Sequence, residues 1–464
     1  MECRPNDLPL AVRKTERRKR MNKKQIILIA TGFVWMASAF GQQPWSVEQC
    51  IKYALNHSRE VRQQERLLKD ARIRHTQSIG AWLPSVNGSV GGQYNFGRAV
   101  DPETNTYTNV NTFYNSYNLQ ASLPVFEGFT RYYDTKAARA RVLMGKQGLQ
   151  AVKDEVAQQV MKLSMDVLYL QGAVRLAADK LSESRQLLKQ TLIMQEVGTK
   201  SEADVAQVQA TVAADDYEVT NQQNLLTHAW IALKAQMNFP LTDSLALDTL
   251  FLSQSTSLPE EESAQEIFQR AQLYYPALMQ SDWEVRAARY SLKAAWGGLF
   301  PSLSVGAGIS TSFYKTLGQE SPLGYRKQMR ANRGEYVFAT LSIPIFNHLD
   351  RLNEIRRQRN EWRKAVDRQQ QQQTELQRLI LEVLADCESS DRECLKLQKK
   401  VTADAWNLRL LTQKYQEGLA SGLEVQTASV ILLKGQAAWL KSRLMQWYHR
   451  QMLNYYKGVP LWIE

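Results

Sequence analysis

Two spacings of apolar residues alternate along this chain, one of seven and one of two. From Val156, apolar side chains recur at steps of four and three through Val160, Leu163, Val167, Leu170, Val174 and Ala177 to Leu181. Adding 220 to these positions gives Leu376, Ile380, Val383, Cys387, Ser390, Cys394, Leu397 and Val401, the same heptad phase with two polar-tolerant places. Heptads of this kind predict helices that pack along a narrow seam, as in coiled coils. The pattern resumes after a break, at Val205, Val212, Val219, Leu226 and Leu233 in one half and at Val425, Leu432, Trp439 and Leu453 in the other. Each half therefore predicts a long helical hairpin. A limb of roughly 65 residues at 1.5 Å per residue would reach on the order of 100 Å.

Proline marks the same duplication. None occurs in residues 125–239 or 345–459, two windows of 115 residues displaced by 220. Gly198 and Gly418 stand where the first limb of each hairpin should end on a left-handed residue, and Ser201 and Ser421 follow three residues later. Ser201-Glu202-Ala203-Asp204 and Ser421-Gly422-Leu423-Glu424 have the spacing of a capping box, so helix capping is one reading of Asp204 and Glu424.

Upstream of each hairpin the period falls to two, the signal for strands. Val86, Gly88, Val90, Gly92, Tyr94 and Phe96 alternate with small polar residues, and so do Tyr117, Leu119, Ala121, Leu123 and Val125. The second half repeats this with Leu303, Val305, Ala307, Ile309 and Phe313, then Val337, Ala339, Leu341, Ile343 and Ile345. Strands of about 9 to 11 residues with one apolar and one polar face have the length and alternation of transmembrane β-strands. Half-buried strands of a soluble sandwich are the other reading. Four strands are too few to close a barrel, since about eight is the smallest spanning form, so a membrane reading requires several chains. A shorter amphipathic helix should precede each strand pair, over 46–82 and 263–300, each stopped by a proline, Pro84 or Pro301. Residues 240–262, a mixture of Ser, Thr and Leu, read as a linker with a short extended segment.

Charge changes the picture only at the start of the chain. The net charge is +12, which first suggests nucleic acid or an anionic membrane. Residues 1–41 carry nine basic against three acidic residues and so hold half of that surplus, which weakens the nucleic-acid reading. They have the layout of a secretory signal peptide: a basic stretch ending at Lys23-Lys24, an apolar run from Ile26 to Phe40, and small residues at Ala37, Ser38, Ala39 and Gly41. Met21 offers a second start, which would make residues 1–20 an upstream extension. A retained anchor is the alternative, although a spanning helix needs about 20 apolar residues. Four cysteines, at 3, 50, 387 and 394, make no disulfide framework. The five histidines lack metal-ligand spacing, and there is no nucleophile elbow or phosphate loop, so no enzyme is expected. The arginines from Arg351 to Arg368, with Gln369 to Gln373 behind them, read as a solvated helix face or a tunnel lining.

Taken together, these segments resemble the TolC family of outer-membrane efflux and secretion channels. The resemblance rests on Trp45-Ser46-Val47-Glu48-Gln49-Cys50-Ile51 with Ala54-Leu55, on Leu83-Pro84-Ser85, and on Leu123-Pro124-Val125-Phe126 with Ile343-Pro344-Ile345-Phe346. It rests also on the tip motifs Gly198-x-x-Ser201-x-x-Asp204-Val205 and Tyr415-x-x-Gly418-x-x-Ser421-x-x-Glu424-Val425. It covers nearly the whole chain after residue 42, as two repeats over 42–239 and 263–464.

The resemblance implies a mainly α protein with a β-barrel portion, whose homotrimer forms a 12-stranded barrel among outer-membrane lipids and an α-helical tunnel in the periplasm. It implies export of small molecules or proteins as the exit duct of a tripartite efflux or type I secretion system, docked on a periplasmic membrane-fusion adaptor and an inner-membrane pump. No cofactor, metal or nucleic acid belongs to it. By match of motifs, Asp204, Tyr415 and Glu424 would form the gate, and Val197, Gly198, Thr199, Gly418 and Leu419 the adaptor-docking tips. Some members carry a basic residue two places after the second tip glycine; here that place is Ala420, and Lys200 holds the equivalent place in the first repeat. Two classes compete: a periplasmic coiled-coil scaffold, which would explain the heptads but not four spanning-length strands, and a trimeric surface stalk, which would explain export and oligomerisation but predicts a ligand-binding domain that the sequence lacks.

Overall fold

The computed structural model describes residues 44–100, 105–109, 111–248, 262–318 and 323–462. The expected leader, and residues 249–261 of the expected linker, lie outside the described residues.

The first repeat opens with α1 (Val47–His57) and α2 (Arg59–Gly80), followed by β1 (Ser85–Asn95), the short β2 (Arg98–Val100) and β3 (Tyr107–Asn109), and β4 (Thr112–Glu127). The long hairpin is α3 (Thr130–Glu196) and α4 (Glu202–Met237). The second repeat runs α5 (Ala264–Ala271), α6 (Pro276–Gly297), β5 (Ser302–Thr316), α7 (Tyr325–Ala331), β6 (Gly334–Ser342), α8 (Asp350–Gln416) and α9 (Gly422–Tyr456). The duplication is exact at most helix bounds: α2 maps onto α6 at a displacement of 217, and α3 onto α8 at 220, with 67 residues in each of the long pair.

Each predicted amphipathic helix before the strands is in fact two. Ser58 ends α1 and caps α2, its hydroxyl accepting from Val61 N. In the second repeat the break falls before Pro276, whose ring suits the first turn of a helix and cannot continue an earlier one. Apolar periodicity runs through both breaks, which is why the pattern alone reads them as continuous.

The strands form one antiparallel sheet in the order β1-β4-β5-β6. Beneath it the helices repeat that order: α2 packs on α3, α3 on α6, and α6 on α8. Every strand is thus the continuation of a helix, and the molecule is a four-stranded ribbon standing on a four-helix ribbon. Register places Val90 beside Tyr117, Leu119 beside Ile309, and Ala307 beside Val337, so the apolar positions share one face. That face is bare within one chain: Val90 is 70% exposed and Val337 is 85% exposed. A bulge between Pro124 and Phe126 brings Phe126 opposite Leu303.

Two corrections concern the strands. β6 ends at Ser342, so Ile343 and Ile345, read as its continuation, lie beyond it; an edge strand without an outer neighbour loses its ladder early. Phe338 belongs to the polar face, where it covers Gly306 as Tyr336 covers Gly308; a Cβ at either glycine would fall within 2.6 Å of those rings.

The core is duplicated as well. Cys50, Ile51 and Ala54 of α1 pack with Val156, Val160 and Val167 of α3 and Leu233 of α4. The displaced positions Ile267 and Ala271 pack with Leu376, Ile380, Cys387 and Leu453. The two cores meet where the Tyr455 hydroxyl donates to Asp154 Oδ2 at 2.6 Å. The described part of the linker turns at residues 240–243 and then bridges to Trp45, just before α1, with Trp45 N donating to Ala246 O and Asp248 N to Trp45 O. Among the described residues, no helix is long and apolar enough to cross a membrane.

Candidate functional site

The tips of the two hairpins lie at the end of the molecule farthest from the sheet. In the first, α3 closes with Gly198 at φ +76°, and Thr199 N reaches back to Met194 O at 2.9 Å. In the second, Gly418 has φ +77° and Leu419 N reaches Lys414 O at 2.8 Å. Glycine is favoured there because a side chain in the left-handed region is strained. Val197 and Leu419 stand out from the tips, 72% and 74% exposed.

Both acidic positions cap their own helices. Asp204 Oδ2 accepts from Ser201 N at 2.9 Å and from Ser201 Oγ at 2.8 Å, while Asp204 N donates to Ser201 Oγ. Glu424 Oε2 accepts from Ser421 N at 2.7 Å and from Ser421 Oγ at 3.1 Å, again with a reciprocal bond. The serine backbone N–H groups, and after them the hydroxyls, hold both carboxyls below their ordinary range, so both carry charge at neutral pH. Glutamate reaches the same place as aspartate because its longer chain still spans one turn.

Tyr415 does different work. It is 1% exposed, and its hydroxyl lies 3.0 Å from Thr191 Oγ1 of the other hairpin. Lys200 Nζ stands 4.3 Å from the centre of its ring, a cation–π contact. Tyr415 thus ties α8 to α3 and to the first tip, while Asp204 and Glu424 remain with their own serines. Thr191 carries no motif in the sequence; its only signal is its place in the α3 limb, about two turns before Gly198.

Between the hairpins, on the sheet side of the tips, a cavity of about 460 Å³ is lined by Leu187, Thr211, Leu408, Thr412 and Val425 among others. At its edge Lys180 Nζ meets Asp215 Oδ1 at 2.8 Å, with the two side chains 11% and 8% exposed. This pair lies outside every sequence motif, since α3 and α4 must fold back on each other before the two residues meet. The arginine run lies on α8 in ion pairs that include Arg357 with Glu354 and, across to α6, Arg368 with Glu284. Among the described residues, no group of three or more His, Cys, Asp or Glu side chains is placed to hold a metal ion.

Comparison with known proteins returns the same architecture. The cation efflux system protein CusC of Escherichia coli O157:H7 is 23% identical over 427 residues, spanning 87% of this chain and 85% of that protein. A CusC crystal structure superposes with a TM-score of 0.77 at 19% identity, over 91% of this chain and 96% of that one. The outer membrane protein VceC of Vibrio cholerae also gives 0.77, at 15% identity, over 89% and 96%. The profile of the family described as "Outer membrane efflux protein" matches residues 50–238 and 267–451, one segment on each repeat. With both repeats matched and the tips, hairpins and sheet in place, the chain belongs to the outer membrane efflux protein family and resides in the outer membrane.

Proposed function

We propose that three copies of this chain close into one channel, the exit duct of a tripartite efflux system. The single observation that carries this is the open ribbon. A four-stranded sheet with an apolar outer face and two unpaired edges stands on four helices in the same order. Three such ribbons joined edge to edge supply twelve strands for a membrane barrel and twelve helices for a tunnel in the periplasm. Neither a coiled-coil scaffold nor a surface stalk needs the apolar sheet face.

In this reading the tips close the tunnel. Asp204 and Glu424 place six carboxylates around the mouth of a trimer, a charge pattern that favours cations and holds back anions. Tyr415, held by Thr191 and Lys200, keeps each protomer's hairpins together. Val197, Gly198, Thr199, Gly418 and Leu419 offer the surface on which a periplasmic adaptor docks, with the inner-membrane pump behind it. The cargo class favoured by the acidic mouth is cationic, in keeping with CusC, which is a cation efflux system protein. A type I secretion partner would use the same duct for proteins.

The test is direct. Purified mature protein should require detergent, run as a trimer by light scattering, and form cation-selective pores in planar bilayers; a monodisperse, detergent-free monomer would refute the channel. An epitope inserted at Asn105 should be reached by antibody on intact cells, because Asn105 lies just before β3, at the end of the sheet away from the helices.

A further inference from the structure

The apolar face of the sheet changes character at the end away from the helices. There Tyr94, Phe113 and Phe313 stand in a row across β1, β4 and β5, with ring centres 4.8 and 6.4 Å apart. Register sets Tyr94 opposite Phe113 and Phe113 opposite Lys315, so these side chains share the face that carries Leu119 and Ile309. A band of rings at one end of an apolar strand face marks the boundary between hydrocarbon and headgroups.

The row ends on α7. The Tyr325 ring lies 4.9 Å from that of Phe313, and its hydroxyl donates to Tyr117 Oη at 2.8 Å. β6 begins at Gly334, opposite Ser310, so beyond that pair β5 has no strand beside it there. α7 takes the vacant place. Gln328, 7% exposed, accepts from Tyr314 N and donates to Tyr314 O, both at 3.0 Å, as a paired strand would. Asn332 Nδ2 donates to Ser312 O at 2.8 Å, and Thr311 Oγ1 donates to Met329 O at 2.7 Å, which draws the helix onto the apolar face.

Tyr325, Gln328, Met329 and Asn332 therefore share the helix face turned to the sheet. The opposite face carries Arg326, Lys327 and Arg330, all exposed. Among the described residues none of these three forms an ion pair, whereas the neighbouring Arg333 meets Glu335. β1, β4, β5 and β6 contain one Lys or Arg between them, Lys315, and it lies at this same end. Four cations thus gather at the outer edge of the aromatic row.

Resting on the reading that the apolar face meets lipid, we propose that α7 and Lys315 bind the phosphate groups of an anionic lipid in the outer leaflet. The lipid chains lie along the apolar face below the rings. Arginine suits phosphate because its guanidinium presents two parallel N–H donors, and lysine adds a point charge. The hold of Gln328 and Asn332 on β5 fixes the height of the helix, so little ordering is lost when a headgroup arrives. The cations are continuous with a lipid-facing surface, which favours a lipid over a soluble polyanion.

Binding of fluorescent diphosphoryl lipid A tests the site. The lipid is presented to the mature protein in non-ionic detergent micelles at low ionic strength, and binding is followed by anisotropy. Arg326→Gln, Lys327→Gln and Arg330→Gln combined should weaken it on the order of a hundredfold, since each cation at a membrane surface contributes a factor of about five. Arg356→Gln, Arg359→Gln and Arg363→Gln combined, at exposed positions of α8, should leave it unchanged. No loss in the first variant would overturn the site, and equal loss in both would reduce it to net charge. Displacement by millimolar inorganic phosphate would make it a free-anion site instead of a lipid site. In the parent protein dephosphorylated lipid A should compete poorly; equal competition would overturn the phosphate contact without recourse to any variant. A protein that stays monodisperse without detergent would remove the lipid-facing reading beneath the proposal, whereas a detergent-requiring protein indifferent to phosphate would remove the headgroup site alone.

Discussion

The two hairpin tips share a backbone and divide the chemistry. Both end their first limb on a left-handed glycine, at φ +76° and +77°, and both start their second limb with a reciprocal serine–carboxylate cap. Their side chains have gone separate ways. The first tip carries Thr199 and Lys200 where the second has Leu419 and Ala420, and Tyr415 stands where the first repeat has Gln195. One tip therefore supplies the cation and the other the ring that receives it, 4.3 Å apart. Duplication supplied two copies of a turn that any channel of this shape needs. Divergence made the copies complementary.

The shared feature should be the costlier one to break. Nothing lies within 4 Å of a Cβ built at Gly198 or Gly418, so a side chain there meets open space and only backbone strain of about 1 kcal/mol. Gly198→Trp and Gly418→Trp should leave trimers intact yet abolish efflux, measured as cargo accumulation in cells, whereas Gly198→Ala should preserve most of it. Normal efflux in both Trp variants would show that docking does not use these tips.

Next comes the charge the tips hold in common. Replacing Asp204 with Asn and Glu424 with Gln removes three copies of each charge from a trimer. Reversal-potential measurements should then record a reduced preference for cations, with weaker block by multivalent cations. The amides still serve the helix starts, so the thermal unfolding midpoint should change little. Selectivity equal to that of the parent would return both carboxylates to capping alone.

The unshared residue should give a smaller and different response. Tyr415→Phe loses one buried hydrogen bond to Thr191, worth about 1 kcal/mol, and leaves the ring beneath Lys200. Tyr415→Ala loses both ties. Single-channel conductance should therefore rise in the order parent, Phe, Ala, without a change in selectivity. A Phe variant as open as the Ala variant would assign the whole effect to the hydroxyl.

Acid offers the finest distinction, because the tip carboxylates and the buried Asp154 shift in opposite directions. Asp204 is held below its ordinary range by its cap, so its stabilising contribution is present above that range and lost as pH falls through it. Burial is the main cause that raises Asp154, despite its bonds to Tyr455 and Gln150, so its ionisation costs stability as pH rises through the raised value. Thermal unfolding should find Asp204→Asn losing ground to the parent as pH rises from about 2 to about 4 and holding a constant deficit thereafter, and Asp154→Asn gaining ground as pH rises from about 4 towards about 7. Parallel curves for the two variants would contradict the assigned directions.

Much of this architecture is legible in the chain. Heptads of Val156 through Leu181 and of Leu376 through Val401 are buried or half-buried along both long limbs. Apart from Phe96, Ile343 and Ile345, which lie beyond β1 and β6, the period-two stretches are strands with their apolar residues on one face, and the serine–acid spacing is a true capping box at both tips. These features are local: periodicities of 3.5 and 2, a left-handed glycine and a three-residue cap are each completed within a turn or two of backbone. What was missed depends on distance. Trp45 beside Leu247, Thr191 beside Tyr415, and Lys180 beside Asp215 join residues whose neighbourhood exists only after the limbs fold back.

The division follows from the range of the forces. Apolar spacing and turn chemistry already dictate two repeats, each with a strand pair and a long hairpin, because those signals act between residues a few positions apart. Folding of the whole chain decides that Asp204 and Glu424 stay with their own serines, and that Tyr415 reaches across to the first hairpin. It also decides that β6 stops at Ser342, since a strand persists only where a neighbour satisfies its outer N–H and C=O groups, and one chain has none to offer there.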